Sequence, residues 1–397
     1  MVRPSTSSLK ASRRAGLAGL LAAASCLAAC GPSDFDPSTL IESVRILASR
    51  SDQPFAKPGA TVRSQVLAVD GRPDASSNEP MRVFWLPFVC VNPPNDAYYA
   101  CFSQFEANPT AVAQKGGKMG NGTGTSATIV GSISSWDGGV DASVSSGLGS
   151  LGGALADGGS LASIPTGVDI SAYLVQGPRA VFQLPSDIVT AHPVVTGAAF
   201  PYGLAVVFNI ACAGHVEVIP LDPSNPNPEQ IPVGCFNAQH QQLTANDYVL
   251  GYTEVFAYTT LTNANPVIQS FSFRGHRLSI DGGVTPTASV PVCNGKSCAD
   301  NFAIVDVPDA SWERDPQNPG GPDGGPLGEQ VWVDYYATMG SLSEEAILIF
   351  DPATGRVTPP HQESLQSVTS KQTGTMWAVV HDNRGGAAWI TVPLNAR

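Results

Sequence analysis

Apolar residues in this chain fall at alternate positions or in short runs, and turn residues interrupt them about every ten positions. Ser43-Val44-Arg45-Ile46-Leu47 reads as a first strand, and Pro58-Gly59 as a turn. Val62, Ser64, Val66 and Ala68 then alternate with Arg63, Gln65 and Leu67, a period of two. Asp70-Gly71-Arg72-Pro73 closes that strand, and Met81 to Val89 makes another, with Val83 and Trp85 on one face. From Ala107 to about Pro165 the pattern breaks: Gly, Ser and Ala dominate, as in Gly122-Thr123-Gly124-Thr125-Ser126. This stretch reads as a long mobile insertion between strands. The other reading is a glycine-rich pair of strands around Ala127 to Ile133.

Strand signals resume at Ala180 to Leu184, Leu204 to Ala211 and His215 to Ile219. Pro220 to Pro232 reads as a loop. Tyr248 to Thr260 follows, with Tyr252, Glu254, Phe256 and Tyr258 opposite Thr253, Val255 and Ala257. Asn263-Ala264-Asn265-Pro266 reads as a joint, because Pro biases its predecessor to extended geometry. A second series takes in Val267 to Phe273, Trp332 to Tyr336, Ala346 to Phe350 and Met376 to Val392, with Pro308 to Gly328 as a Pro/Gly-rich loop. Its last part is a hairpin whose turn is His381-Asp382-Asn383-Arg384-Gly385-Gly386, where Gly supplies the positive φ that the reversal needs. Pro393 is expected at an edge or strand end. No stretch carries the register of Ala, Leu, Glu and Lys that a long helix needs. The predicted organisation is 1–29 leader, 30–40 tether, 41–265 first domain with the insertion at about 107–165, and 266–397 second domain.

The strand–Asp-x-x-Gly-Gly–strand ending resembles the last two strands of bacterial Ig-like and PKD-like domains. The opening, with Pro58-Gly59 before a strand and Trp85 on the third, is similar to the first three strands of such domains. The resemblance implies an all-β fold of two Ig-like β-sandwich domains, the first enlarged by the Gly/Ser-rich insertion. It also implies a disulfide pairing. The strands ending at Cys90 and Cys212 would be antiparallel neighbours, which puts the two cysteines at opposite poles and out of bonding reach. Cys90 is then expected to pair with Cys101, and Cys212 with Cys235. Each closure restricts the unfolded chain by roughly 2–4 kcal/mol.

The N-terminus changes the picture most. Arg3, Lys10, Arg13 and Arg14 precede an apolar run from Ala15, and Leu27-Ala28-Ala29-Cys30 follows, then Gly31. This resembles the lipobox of bacterial lipoproteins, in which the leader is removed and the Cys is acylated. The resemblance implies a covalent lipid (palmitate class) at Cys30 and membrane attachment through it; the apolar run is short of the ~18 residues of a span. Gly31, rather than Asp, resembles the pattern sorted to the outer membrane. A tether of this length reaches at most roughly 35 Å, so the folded part is expected close to the bilayer.

The whole chain of 397 residues carries a formal charge of −12, and the leader removes basic residues only. With no basic run after Arg14, phosphate backbones would repel it, so nucleic acid is not an expected partner. Of the 8 cysteines, Cys26 leaves with the leader and Cys30 is lipidated. Cys90, Cys101, Cys212, Cys235, Cys293 and Cys298 remain, an even set expected to form disulfides in an exported protein.

Cys293 and Cys298 are too far apart for a redox Cys-x-x-Cys and lack further zinc ligands nearby; with Asn294-Gly295 between them they read as a disulfide-closed loop. Asp-Gly-Gly at Asp137, Asp157, Asp281 and Asp323 could hold calcium, but the spacing is irregular, and turn chemistry is the reading. The histidines at 192, 215, 240, 276, 361 and 381 form no His-x-x-x-His pair, and His381 is expected as an exposed turn residue. No Gly-x-Ser-x-Gly elbow is present, and Gly147 to Gly153 lacks the Lys-Ser/Thr of a phosphate loop. No catalytic, metal or cofactor site is therefore predicted. Trp85, Trp377 and Trp389 fit packing roles. Tyr98, Tyr99, Trp136 and Trp312 fall on loops, where they either pack locally or meet a sugar or protein. The expected function is a non-enzymatic binding, adhesion or structural module of the cell envelope, its partner an envelope protein or glycan. The alternatives are an envelope hydrolase using acidic loop residues and a calcium-stabilised adhesin.

Overall fold

The computed structural model describes residues 38–73, 75, 79–102, 128–130, 133–135, 167–195, 197–219, 231–293, 301–321, 323–358, 362–366 and 368–397. Leu27, Ala28, Ala29, Cys30, Trp136, Asp137, Asp157, His361 and Cys298 lie outside the described residues, as do most of 107–165 and residues 220–230. The described residues are almost all β, arranged in multiple sheets as β-sandwich layers.

One sheet has the order β1 (Val44–Ser51), β3 (Thr61–Asp70), β8 (Arg179–Gln183), β6 (Ser134–Ser135). Against it lies β2 (Phe55–Ala56), β12 (Tyr248–Ala257), β9 (Gly203–Cys212), β4 (Arg82–Val91), β5 (Thr128–Val130), with β7 (Val175–Gln176) also pairing β4. A ribbon of β10 (His215–Val218) and β11 (Val233–Phe236) completes this half. In β3 the predicted alternation holds from Thr61 to Val66, with Val62, Ser64 and Val66 buried and Thr61 and Arg63 exposed; beyond it Leu67 and Ala68 are both half-buried and Val69 is buried, because the far face is covered too.

All ten residues of β9 are buried. The reason is that its sheet is covered on both faces, so apolar residues are needed on both. Ala205, Val207 and Ala211 pack with Val62, Val66, Trp85 and Phe182 on one side. Leu204, Val206, Phe208 and Ile210 pack with Phe84, Phe88, Val216 and both disulfides on the other. The ribbon and the segments around Cys101 and Ile170 thus add a third layer that a two-sheet sandwich does not have.

Within the predicted insertion, the described residues follow the second reading, strands, and correct the first, a mobile insertion. Ile129 pairs with Cys90, and Ser134 with Val181, so Thr128–Val130 and Ser134–Ser135 contribute edge strands.

The remaining sheets are β14 (His276–Leu278), β13 (Ser270–Phe273), β16 (Asn301–Asp306), β23 (Gln362–Gln366), β20 (Ser341–Leu342), and β15 (Ala288–Val290), β25 (Ala387–Ala396), β24 (Gln372–Asp382), β19 (Val331–Ala337), β21 (Ala346–Asp351), β22 (Gly355–Arg356). Phe271, Val305 and Leu365 of the first face Val333, Tyr335, Val380 and Ile390 of the second. The Pro308 to Gly328 loop is corrected too. It forms a two-stranded ribbon, β17 (Arg314–Pro319) with β18 (Pro326–Gly328), that belongs to neither sheet and pairs only near its ends. Its prolines therefore interrupt no continuous ladder.

Pro393 is likewise inside a strand, since β25 runs on to Ala396. Thr285 N–H donates to Thr391 O, and parallel pairing resumes at Ala288↔Leu394. The missing N–H of Pro393 falls in that gap.

The outer face of the β24–β25 sheet is covered in turn. Trp377 and Val379 pack on Ile41, Leu47, Ala48 and Val69 of the first half, with Trp389 and Tyr336 at the rim. Arg50 stacks over the Trp389 ring at 4.2 Å. Ser38 to Arg397 accordingly form one compact unit.

Candidate functional site

Cys90 bonds Cys101 with Cα atoms 5.9 Å apart, and Cys212 bonds Cys235 at 5.7 Å. Cys212 sits opposite Arg82 in the β4–β9 ladder while Cys90 sits opposite Val206, so the two cysteines are at opposite ends, as the pairing argument requires. Cys293 is also disulfide-bonded.

The Cys90–Cys101 bond ties the segment after β4 back onto the sheet. That segment is unusual in its backbone: Asn92, Asn95 and Asp96 have φ of 50°, 57° and 57°. Left-handed non-glycine residues cost free energy and persist only where surroundings hold them. Here the hold is visible. Asn92 Oδ1 accepts from Leu204 N–H at 2.9 Å, and its Nδ2 donates to Ile188 O at 2.8 Å. Asp96 takes His192 Nε2 at 2.8 Å on one oxygen and the Tyr202 hydroxyl on the other.

Around Asp96 lies a patch of outward-facing apolar surface. Tyr98 stacks on Tyr252 of β12, ring centroids 4.3 Å apart and 15° from parallel, and Tyr99 meets Tyr98 edge-on. Tyr252 is 42% exposed and Tyr99 37%. Val194, 97% exposed, and Val195 lie two and three residues after His192. Four of the six exposed large apolar residues among those described therefore belong to segments that meet at Asp96. Glu254, two residues along β12 from Tyr252, has its carboxyl pushed up by burial and by the charge of Asp96. Tyr202 is pushed up by burial and then by its bond to Asp96.

The polar groups of this site are engaged with one another. His192 Nδ1 lies 2.7 Å from Pro193 O, so both ring nitrogens face oxygen acceptors. Both Asp96 oxygens are similarly engaged.

A second cluster was not legible in the histidine spacing. His215 Nε2 and His240 Nδ1 each lie 2.6 Å from the same oxygen, Glu217 Oε1. His215 and Glu217 share one face of β10, as residues two apart on a strand do. His240 arrives from the turn after β11. The readable signal was His215-x-Glu217 on a strand; the third member depends on the β10–β11 pairing and could not be placed from spacing.

Other expected site residues pack locally. Asp281 and Val284 exchange backbone hydrogen bonds across the Gly282-Gly283 turn, and Asp323 accepts from Gly325 N–H at 3.1 Å and Arg314 at 3.0 Å. Trp312 is half-buried on Phe350, with Gly328 and Gly355 against its ring. His381 is not an exposed turn residue: it lies within β24, stacked on Trp332 at 5.3 Å and 3.2 Å from Asp334 Oδ2. The ladder extends further toward the turn than the sequence suggested, which draws it into the sheet.

No family model matches the chain, and no curated protein does. Among solved structures it is similar to Escherichia coli alpha-2-macroglobulin activated by porcine elastase, at 10% identity and a TM-score of 0.19, over 91% of this chain and 22% of that one. The chain spans under a quarter of that protein's length, and a likeness of this size carries no argument about fold or function.

Proposed function

We propose that this protein is a non-enzymatic binding module of the bacterial cell envelope, lipid-anchored at Cys30, whose partner docks on the Tyr98–Tyr99–Tyr252 face. The observation that supports this reading is the gathering of exposed aromatic and apolar residues around Asp96 on a backbone that a disulfide and Asn92 hold in place. Rigid aromatics expose contact area at little entropic cost, and the Glu254 carboxyl beside Tyr252 adds a hydrogen-bonding group. A glycan of the envelope matches that combination best. The protein's acidity argues against a polyanion.

Cosedimentation of the purified chain with insoluble cell-wall glycan tests the face. Tyr252→Ala and Tyr99→Ala are expected to cut binding by about tenfold, the equivalent of about 1.4 kcal/mol. Unchanged binding in both would remove the face from consideration. Release of soluble sugar by the wild type, abolished in Glu254→Gln, would instead favour the hydrolase alternative. For the anchor, Cys30→Ser is expected to move the protein from the membrane fraction to the soluble one. Identical fractionation of both forms would overturn the anchor.

A further inference from the structure

The three side chains His215, Glu217 and His240 form, we infer, a binding site for a divalent d-block cation of the zinc class. The inference is independent of the glycan-binding reading, because it uses other residues on the β10–β11 ribbon.

Glu217 is 1% exposed. A buried carboxylate needs a strong partner, and among the described residues its ion-pair partners are the two imidazoles. Their donor atoms and a Glu217 oxygen all lie within 4.8 Å of one another. Two imidazole nitrogens with one carboxylate oxygen is a donor set that suits zinc, copper or nickel and does not suit calcium, which takes oxygen ligands.

The scaffold holds these groups before any ion arrives. His215 and Glu217 ride on a strand whose partner, β11, is paired residue for residue from His215↔Phe236 to Val218↔Val233. The Cys212–Cys235 disulfide fastens the ribbon three residues before His215. His240 has a φ of 58°, a left-handed conformation held by the turn around it. Asn237 O accepts from His240 N–H at 2.9 Å, and Asn237 Oδ1 accepts from Gln239 and Gln241 N–H at 2.9 and 3.0 Å. That strained backbone swings the His240 ring onto Glu217 and stacks it edge-on to His215 at 5.4 Å.

Three protein ligands leave one tetrahedral position open. His240 is 61% exposed in its side chain, so an ion has a path in from solvent. Water or a small donor from a partner would fill the open position.

Zinc chloride titrated calorimetrically into the chelator-treated full chain is the test. One equivalent of zinc is expected to bind, and the melting temperature is expected to rise with zinc concentration. His240→Ala is the decisive variant, because an exposed ring can be removed without opening a core. It is expected to stay folded without metal, since His215 still partners Glu217, and to lose at least about tenfold in zinc affinity. Glu217→Gln is expected to lose affinity as well. Absence of zinc uptake by the wild type overturns the proposal, and so does unchanged affinity in His240→Ala. A calcium response that zinc does not reproduce overturns the donor assignment.

Discussion

Arg384 is the residue on which most buried charge converges. It is buried, donates to Glu329 at 2.6 Å and to Thr262 O at 2.6 Å, and lies within 4 Å of Glu313 and Asp315. Asp382 joins the group by accepting from Arg384 N–H at 2.8 Å, and the guanidinium sits 4.7 Å above the Phe55 ring. One cation among several carboxylates leaves negative charge in excess, so burial and the charge of Asp382 push Glu329 up to about 7 from 4.5. Replacing Arg384 by Ala strands those carboxylates and is expected to cost about 3–5 kcal/mol, read from urea unfolding. Between pH of about 4.5 and about 7 the folded chain holds a proton on Glu329 that the unfolded chain has lost. The folded state binds more protons there, so this group makes stability fall as pH rises through that window and contributes no slope above it. Glu329→Gln is expected to flatten the decline, measured as the urea midpoint across that range; a slope equal to wild type would refute the assignment.

At the scale of elements, the terminal hairpin shows how local chemistry fixes a turn. Gly385 has a φ of +87°, and a Cβ on Gly386 would collide with the Asp382 carboxylate, which accepts from Gly386 N–H at 2.8 Å. Gly385→Ala is expected to cost about 1–2 kcal/mol, the penalty for a side chain in the left-handed region; thermal melting reads it. The ribbon depends on its disulfide. The double variant Cys212→Ala/Cys235→Ala is expected to lose about 2–5 kcal/mol and, since the bond fastens the strand carrying His215 and Glu217, to weaken zinc binding in the same titration. Elements of this kind were legible where apolar and polar positions alternate, as at Thr61 to Val66 of β3, or where the turn is short, as at Asp382 to Gly386. The β17–β18 ribbon was not, and the strand at Thr128–Val130 was legible only as the second of two readings. The composition of both reads as loop, and both become strands only because a partner supplies the hydrogen bonds.

For the whole molecule, the joint is part of the core. Trp377 and Val379, on a strand of the second half, pack on Leu47 and Val69 of the first. Asn265 bridges them, donating to Ser51 O at 2.7 Å and accepting from Ala387 N–H at 2.9 Å. The chain from Ser38 onward is therefore expected to unfold in a single calorimetric transition. Trp377→Ala, which removes a large ring from the shared cluster at about 3–5 kcal/mol, is expected to split that transition in two. Two transitions in the wild type would show that the halves are independent.

The sequence by itself determined the β class, most strand positions and the terminal turn, because these follow from side-chain period and from backbone preferences that act over a few residues. It also carried Tyr98 and Tyr99 as candidates, since aromatic residues on a loop stand out in the sequence, whereas Tyr252 read only as one face of a strand. Tertiary structure alone decided which faces are buried twice, how Asp96 gathers His192, Tyr202 and Glu254, and that His240 meets His215 and Glu217. Each of those depends on distances between residues tens or hundreds of positions apart, and only the packing of sheets brings such residues within hydrogen-bonding reach.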